Sequence, residues 1–160
     1  MKVLTAIALA AILTACATAP KPLQGQFSTL LPDAAAQREA NGELVRWGGR
    51  IVHVEPQRQR SCFEIVAKPL NGSGRPENLD RSAGRFIACR NGFYDPEVFQ
   101  PGRAITVSGH IDGFEMRKVG DFDYRYPRVA ADVIYLWPEQ RDRELIIARP
   151  VFGFRFGGGW

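Results

Sequence analysis

Histidine is scarce in this 160-residue sequence, and the two present, His53 and His110, stand far apart. They lack metal-ligand spacing and no Cys-x-x-Cys accompanies them, so neither a zinc site nor any other cofactor is expected. No serine sits in a nucleophile elbow: Ser82 and Ser108 have no such motif, and neither histidine has an evident orienting partner. A hydrolase is therefore the least favoured function, and the chain reads as a non-enzyme. Lysine is scarce too. The 21 basic residues are mostly arginine and face 17 acidic ones, a net charge of +4. So mild a balance excludes a dedicated nucleic-acid binder. Arginine suits phosphate headgroups by its planar fork, although ordinary solvated surface arginine accounts for most of the set. Repeats and low-complexity tracts are absent. The apolar run Val3 to Leu13 is shorter than the roughly 20 residues a spanning helix needs.

That run is instead laid out as a secretory signal, with Lys2 as its positive start and the small residues Thr14 and Ala15 at its end. Leu13-Thr14-Ala15-Cys16 reads as a lipobox. Residues 1–15 are then a lipoprotein signal peptide, and Cys16 is the lipid attachment site. Acyl chains anchor the mature protein in membrane lipid, at about 0.8 kcal/mol per buried methylene. Ala17 stands where an aspartate would favour the inner membrane, so the outer membrane is expected, with the domain facing the periplasm. Removing 15 residues from 160 leaves 145, with 20 basic against 17 acidic residues, a net charge of +3. That length holds one domain with a real core. With Cys16 acylated, Cys62 and Cys89 remain as an even pair in an oxidising compartment.

Residues 16–43 read as a lipid-anchored tether, kept extended by Pro20 and Pro22, and then a short helix with Asp33 as N-cap, Ala34 to Ala40 as its body and Asn41-Gly42 as its stop. From Leu44 the pattern is strands. Leu44 to Val54 contains Gly48-Gly49, which predicts a bulge or the close approach of another strand. Cys62 to Ala67 sets Phe63, Ile65 and Ala67 on one face, with Cys62, Glu64 and Val66 on the other. Asn71 to Pro76 is a loop, and Gly84 to Cys89 is a third strand. Ala104 to Phe114 alternates cleanly, with Ile105, Val107, Gly109, Ile111 and Gly113 inward and Thr106, Ser108, His110 and Asp112 outward. Its inward glycines predict tight curvature. Arg128 to Trp137 is a fifth strand, with Val129, Ala131, Val133, Tyr135 and Trp137 on one face. The fold class is all-β and mainly antiparallel. A small OB-like barrel of five to six strands over residues 44–138 is preferred to a β-sandwich. Residues 139–160 form an aromatic, glycine-rich tail. Its terminal Trp160 suits an outer-membrane barrel, but the chain has too few long alternating strands for eight spanning ones.

If strands two and three pair antiparallel, the start of one faces the end of the other, which brings Cys62 to Cys89. A disulfide is expected there. The competing arrangement is two buried thiols on different walls.

Val45-Arg46-Trp47-Gly48-Gly49 resembles the opening motif of the Slp family, outer-membrane lipoproteins of Gram-negative bacteria described as starvation-inducible. Gly74-Arg75-Pro76, Gly84-Arg85-Phe86, Gly92-Phe93-Tyr94-Asp95-Pro96, Tyr126-Pro127 and Leu136-Trp137 follow in order, so the resemblance runs from Val45 to Trp137. It implies the outer membrane, a lipid anchor and a link to stationary-phase or stress physiology. It brings no catalytic residues.

Trp47, Arg85 and Trp137 are the candidate ligand-binding residues. The tryptophans suit stacking on sugar rings, but aromatics in so small a barrel are more often core. Arg85 follows a polar loop in which Asp80 and Ser82 suit local backbone bonds, and it is expected to pair with a nearby carboxylate. Asp112, Glu115, Asp121 and Asp123 lack the spacing of a calcium loop and read as a solvated hairpin. Two functions lead: a non-catalytic envelope lipoprotein acting through an envelope protein partner, and a lipid-anchored module that binds an envelope glycan or lipid headgroup.

Overall fold

A computed structural model describes residues 18–139. Cys16, the signal segment and the tail with Phe152, Phe154, Phe156 and Trp160 lie outside the described residues. Five strands carry the fold: β1 (Leu44–Pro56), β2 (Arg60–Ala67), β3 (Arg85–Asn91), β4 (Ala104–Val119) and β5 (Phe122–Leu136), preceded by helix α1 (Pro32–Arg38). The order β1-β2-β3-β5-β4 closes back on β1. All neighbours are antiparallel except β3 and β5, which pair in parallel from Ile87↔Arg128 to Cys89↔Ala130. The sheet is therefore a closed, OB-like barrel and not the two facing layers of a sandwich.

Inside lie Val45, Trp47, Ile51, Phe63, Ile65, Phe86, Ala88, Ile105, Val107, Ile111 and Val129. Bulges decide which residues reach this interior. The register of β1 slips between Ile51 and His53, so Ile51 and Val54, three apart, both point inward. On β4 it slips at Ser108/Gly109 and Ile111/Gly113, next to the glycines that predicted curvature. An extra residue inverts the alternation beyond it. The strand β5 shows the consequence, because Ser108 pairs with Val133 but Gly109 with Ala131. Val129 is inside and Ala131 packs against the core, whereas Val133, Tyr135 and Trp137 lie in an outer cluster, with Ile134 and Leu136 turned to the core in their place. The single face expected for Val129 to Trp137 is thus split by the bulge. Neighbouring strands come close at glycines: a Cβ on Gly49 would overlap the Val66 carbonyl, and one on Gly109 the Ala130 carbonyl.

Helix α1 starts differently from the expectation. Leu31 is the N-cap and Pro32 the first helical residue, a position where proline's missing N–H costs nothing. Asp33 is not the cap; its carboxylate accepts a hydrogen bond from the Tyr124 hydroxyl at 2.5 Å. The helix ends at Arg38, with Glu39 left-handed at φ 53°, before the Asn41-Gly42 stop. Ala35 enters the core and closes one end of the barrel. Edge-to-face contacts among Phe63, Tyr94 and Phe99 cover the core where β1 turns into β2.

Residues 18–31, read as an extended tether, lie against the barrel wall. Leu23 is fully buried beside Ala19, Ala104 and Trp137. The Ser28 amide donates to the Leu44 carbonyl, and Arg46 Nη1 to the Leu23 carbonyl. With this cover, Thr106 and Ser108 are buried although they point away from the core, which corrects the solvent-facing position expected for Ser108. Strands β4 and β5 also run further than expected, to Val119 and from Phe122, as one long hairpin.

Candidate binding cleft on the barrel wall

Each residue singled out in the sequence occupies a different place. Trp47 points into the barrel, edge-on to Phe86 at 5.3 Å, and its indole N–H donates to the Leu30 carbonyl at 2.7 Å. Trp137 is buried outside the barrel, where its N–H donates to Thr106 Oγ1 at 2.9 Å. Arg85 projects from β3 and donates through Nη1 to Glu64 Oε1 at 2.8 Å. The fold does not gather these three into one site. The expected carboxylate partner of Arg85 is Glu64, its neighbour on the adjoining strand. In the loop before Arg85, Ser82 Oγ accepts from the Gly84 amide.

The Arg85 wall is closed and paired. Glu64 Oε1 also accepts from the Tyr126 hydroxyl at 2.8 Å. Tyr124 takes the Arg85 amide as donor and gives its own proton to Asp33. Burial, and then the bond to Asp33, push the Tyr124 hydroxyl up to about 12, and burial followed by Glu64 raises Tyr126. Beneath them the Cys62–Cys89 disulfide joins directly opposed residues of β2 and β3, with Cα atoms 4.1 Å apart, and packs with Ile87 and Tyr126. The geometry argued from hairpin pairing is the geometry found.

A second wall is open. Between the docked segment 25–32 and the ends of β1 and β2 runs a cleft of about 530 Å³. Its apolar surface comes from Phe27, Leu30, Leu31, Trp47 and Leu70, and Leu31 is 54% exposed. Arg46 and Lys68 line it, while neither Asp nor Glu is among the described residues that do. Arg46 stacks on the Phe27 ring at 5.1 Å. Lys68 Nζ donates to the Leu79 carbonyl at 2.7 Å. Carbonyl partners hold both cations in place but leave each a full positive charge. An oily trough with two uncompensated cations can take an amphiphile with an anionic head. Sequence reasoning missed Arg46 and Lys68. Arg46 was detectable, since alternation places it outward between Val45 and Trp47. Lys68 carried no signal beyond being one of few lysines. Among the described residues no three metal-ligating side chains come together.

A model of the outer membrane lipoprotein Slp family matches residues 13–155. This chain belongs to that family. The uncharacterized lipoprotein YeaY of Escherichia coli (strain K12) is 30% identical over 156 residues, 94% of this chain and 80% of its own. An uncharacterized protein of Haemophilus influenzae is 33% identical over 129 residues, 78% of this chain and 70% of its own. Outer membrane protein Slp of E. coli K12 is 24% identical over 136 residues, 82% and 72% of the two chains. No solved structure matches. Membership in the Slp family brings association with the outer membrane.

Proposed function

We propose that this protein is a non-catalytic, lipid-anchored binding module of the outer membrane, held by acylated Cys16 with its barrel in the periplasm. Its ligand is an amphiphile with an anionic headgroup, and the Slp resemblance links that role to starvation or envelope stress. The observation that carries the reading is the cleft: two cations, an apolar floor and no carboxylate among the described residues that line it. The non-catalytic part is supported by the histidines. His53 is exposed on β1, and His110, also exposed, meets Asp132 at 3.9 Å and no other acidic side chain among the described residues.

Two experiments test it. Cys16→Ser should stop processing by the lipoprotein route and abolish fractionation with the outer membrane; a processed, membrane-bound mutant of mature length overturns the anchor. Protein purified from membranes in mild detergent should carry an anionic amphiphile detectable by native mass spectrometry, and Lys68→Ala should lose it. Wild-type protein free of any bound lipid, or carrying it regardless of Lys68, removes the ligand assignment.

A further inference from the structure

The docked N-terminal segment limits how the barrel can sit on its membrane. Cys16 precedes Ala19 by three residues, a reach of at most about 11 Å. Ala19 is itself buried against Leu23, Ala104 and Trp137. The 3-10 turn Lys21–Leu23 and the Arg46 bond to the Leu23 carbonyl fasten the segment to the wall. An anchor at Cys16 is therefore a short pin at one face of the barrel and not the end of a long leash.

That face is basic. Arg50, Arg75 and Arg103 line a shallow depression of about 470 Å³ with Trp137 and Glu139. Arg75 lies over the Trp137 ring at 5.4 Å and donates to the Pro138 carbonyl; Arg50 donates to the Gly102 carbonyl. Arg103 alone of the three meets a carboxylate among the described residues, Glu139 at 3.4 Å. The other two guanidiniums are oriented by carbonyls and keep their charge for an outside partner. Guanidinium pairs with phosphate through two parallel hydrogen bonds. The chain also leaves this face at its other end, because Arg75 grips Pro138, after which the described residues end at Glu139.

We propose that this face is a membrane-docking surface, with Arg50, Arg75 and Arg103 against the phosphates of anionic phospholipid, so that the barrel has one fixed orientation on the bilayer. The proposal rests on the acylation of Cys16 argued above. It leaves the β4–β5 hairpin tip, with Met116 and Phe122 exposed, away from lipid, because the tip packs on the Cys62–Cys89 wall and not with Ala104 and Trp137.

The test uses the lipidated full-length mature protein in phosphatidylethanolamine–phosphatidylglycerol vesicles. A nitroxide is placed at Gln100→Cys, on the basic face, or at Met116→Cys, on the hairpin, with the native disulfide intact. Flotation is scored first, and collision with an aqueous nickel chelate second. The expected result is that both variants float, that the label at 100 is several-fold less accessible to nickel than the label at 116, and that Arg50→Glu with Arg75→Glu abolishes the difference in folded protein. Floating protein with equal accessibility at both sites, or greater shielding at 116, overturns the orientation and leaves the anchor standing. Protein that does not float overturns the anchor reading and the orientation with it.

Discussion

Two walls of one barrel treat their cations differently. On the wall of β2 and β3, Arg85 meets Glu64, Glu64 also meets Tyr126, and the Cys62–Cys89 disulfide lies beside them. At the cleft, Arg46 and Lys68 meet carbonyls and an aromatic face. The first wall has satisfied its charge within the fold, so its residues stabilise the fold. The second holds charge in position without neutralising it, over exposed apolar surface, and that combination suits a ligand and adds little stability. Arg85, singled out as a ligand-binding candidate, falls on the paired wall, whereas the cations that fit a ligand lie beside Trp47.

Breaking the paired wall should give the largest effects on stability. Replacing both Cys62 and Cys89 with alanine should lower unfolding free energy by roughly 3.5 kcal/mol, the chain-entropy value for a loop of this length. Urea denaturation measures it, and an unchanged midpoint would show that the disulfide contributes nothing. Glu64→Ala comes next. It strips Arg85 and the Tyr126 hydroxyl of their shared acceptor, and leaving such groups unpaired costs about 2 kcal/mol. A loss below about 0.5 kcal/mol would place this pair with ordinary surface ion pairs.

The third prediction concerns pH. Tyr124 must stay protonated to donate to Asp33, and its folded-state pKa, about 12, lies above the ordinary value of 10.0. Its contribution is thus complete below pH 10 and lost as pH rises towards 12. Thermal melts across this range should fall more steeply for wild type than for Tyr124→Phe; parallel curves contradict the assignment. The smallest stability effect belongs to the open wall. Lys68→Ala should stay within about 0.5 kcal/mol of wild type, measured by the same urea titration. A loss of 2 kcal/mol would make Lys68 a structural residue and blur the contrast between the walls.

Much of the fold was legible in the sequence because a half-buried strand must alternate. Ile105, Val107 and Ile111 announced β4, and Phe63 and Ile65 announced β2. The disulfide was expected from the even cysteine pair left after Cys16 and from antiparallel pairing of the second and third strands. What stayed hidden depends on non-local contacts. The bulge opposite Ser108/Gly109 reverses Val133, Tyr135 and Trp137 without any local composition signal. Docking of residues 18–31 rests on Ala19 and Leu23, apolar residues set among prolines and polar side chains with no strand or helix period, finding Ala104 and Trp137 far along the chain. The hairpin beyond Phe114 packs through Val119, Tyr124 and Tyr126 on the Cys62–Cys89 wall, a partner far along the chain that its local sequence does not announce. The cleft is built between that docked segment and the barrel, and so it was hidden with the docking.

The most direct test of the contrast is a calorimetric titration of the mature chain carrying Cys16→Ser with dihexanoyl-phosphatidylglycerol below its micelle concentration. Dihexanoyl-phosphatidylcholine serves as the zwitterionic control, and Lys68→Ala and Glu64→Ala are run beside the parent. The two-wall account predicts saturable binding of the anionic lipid, weaker binding of the control, about tenfold loss in Lys68→Ala and no change in folded Glu64→Ala. Equal affinity in Lys68→Ala, or the loss appearing in Glu64→Ala instead, would contradict it.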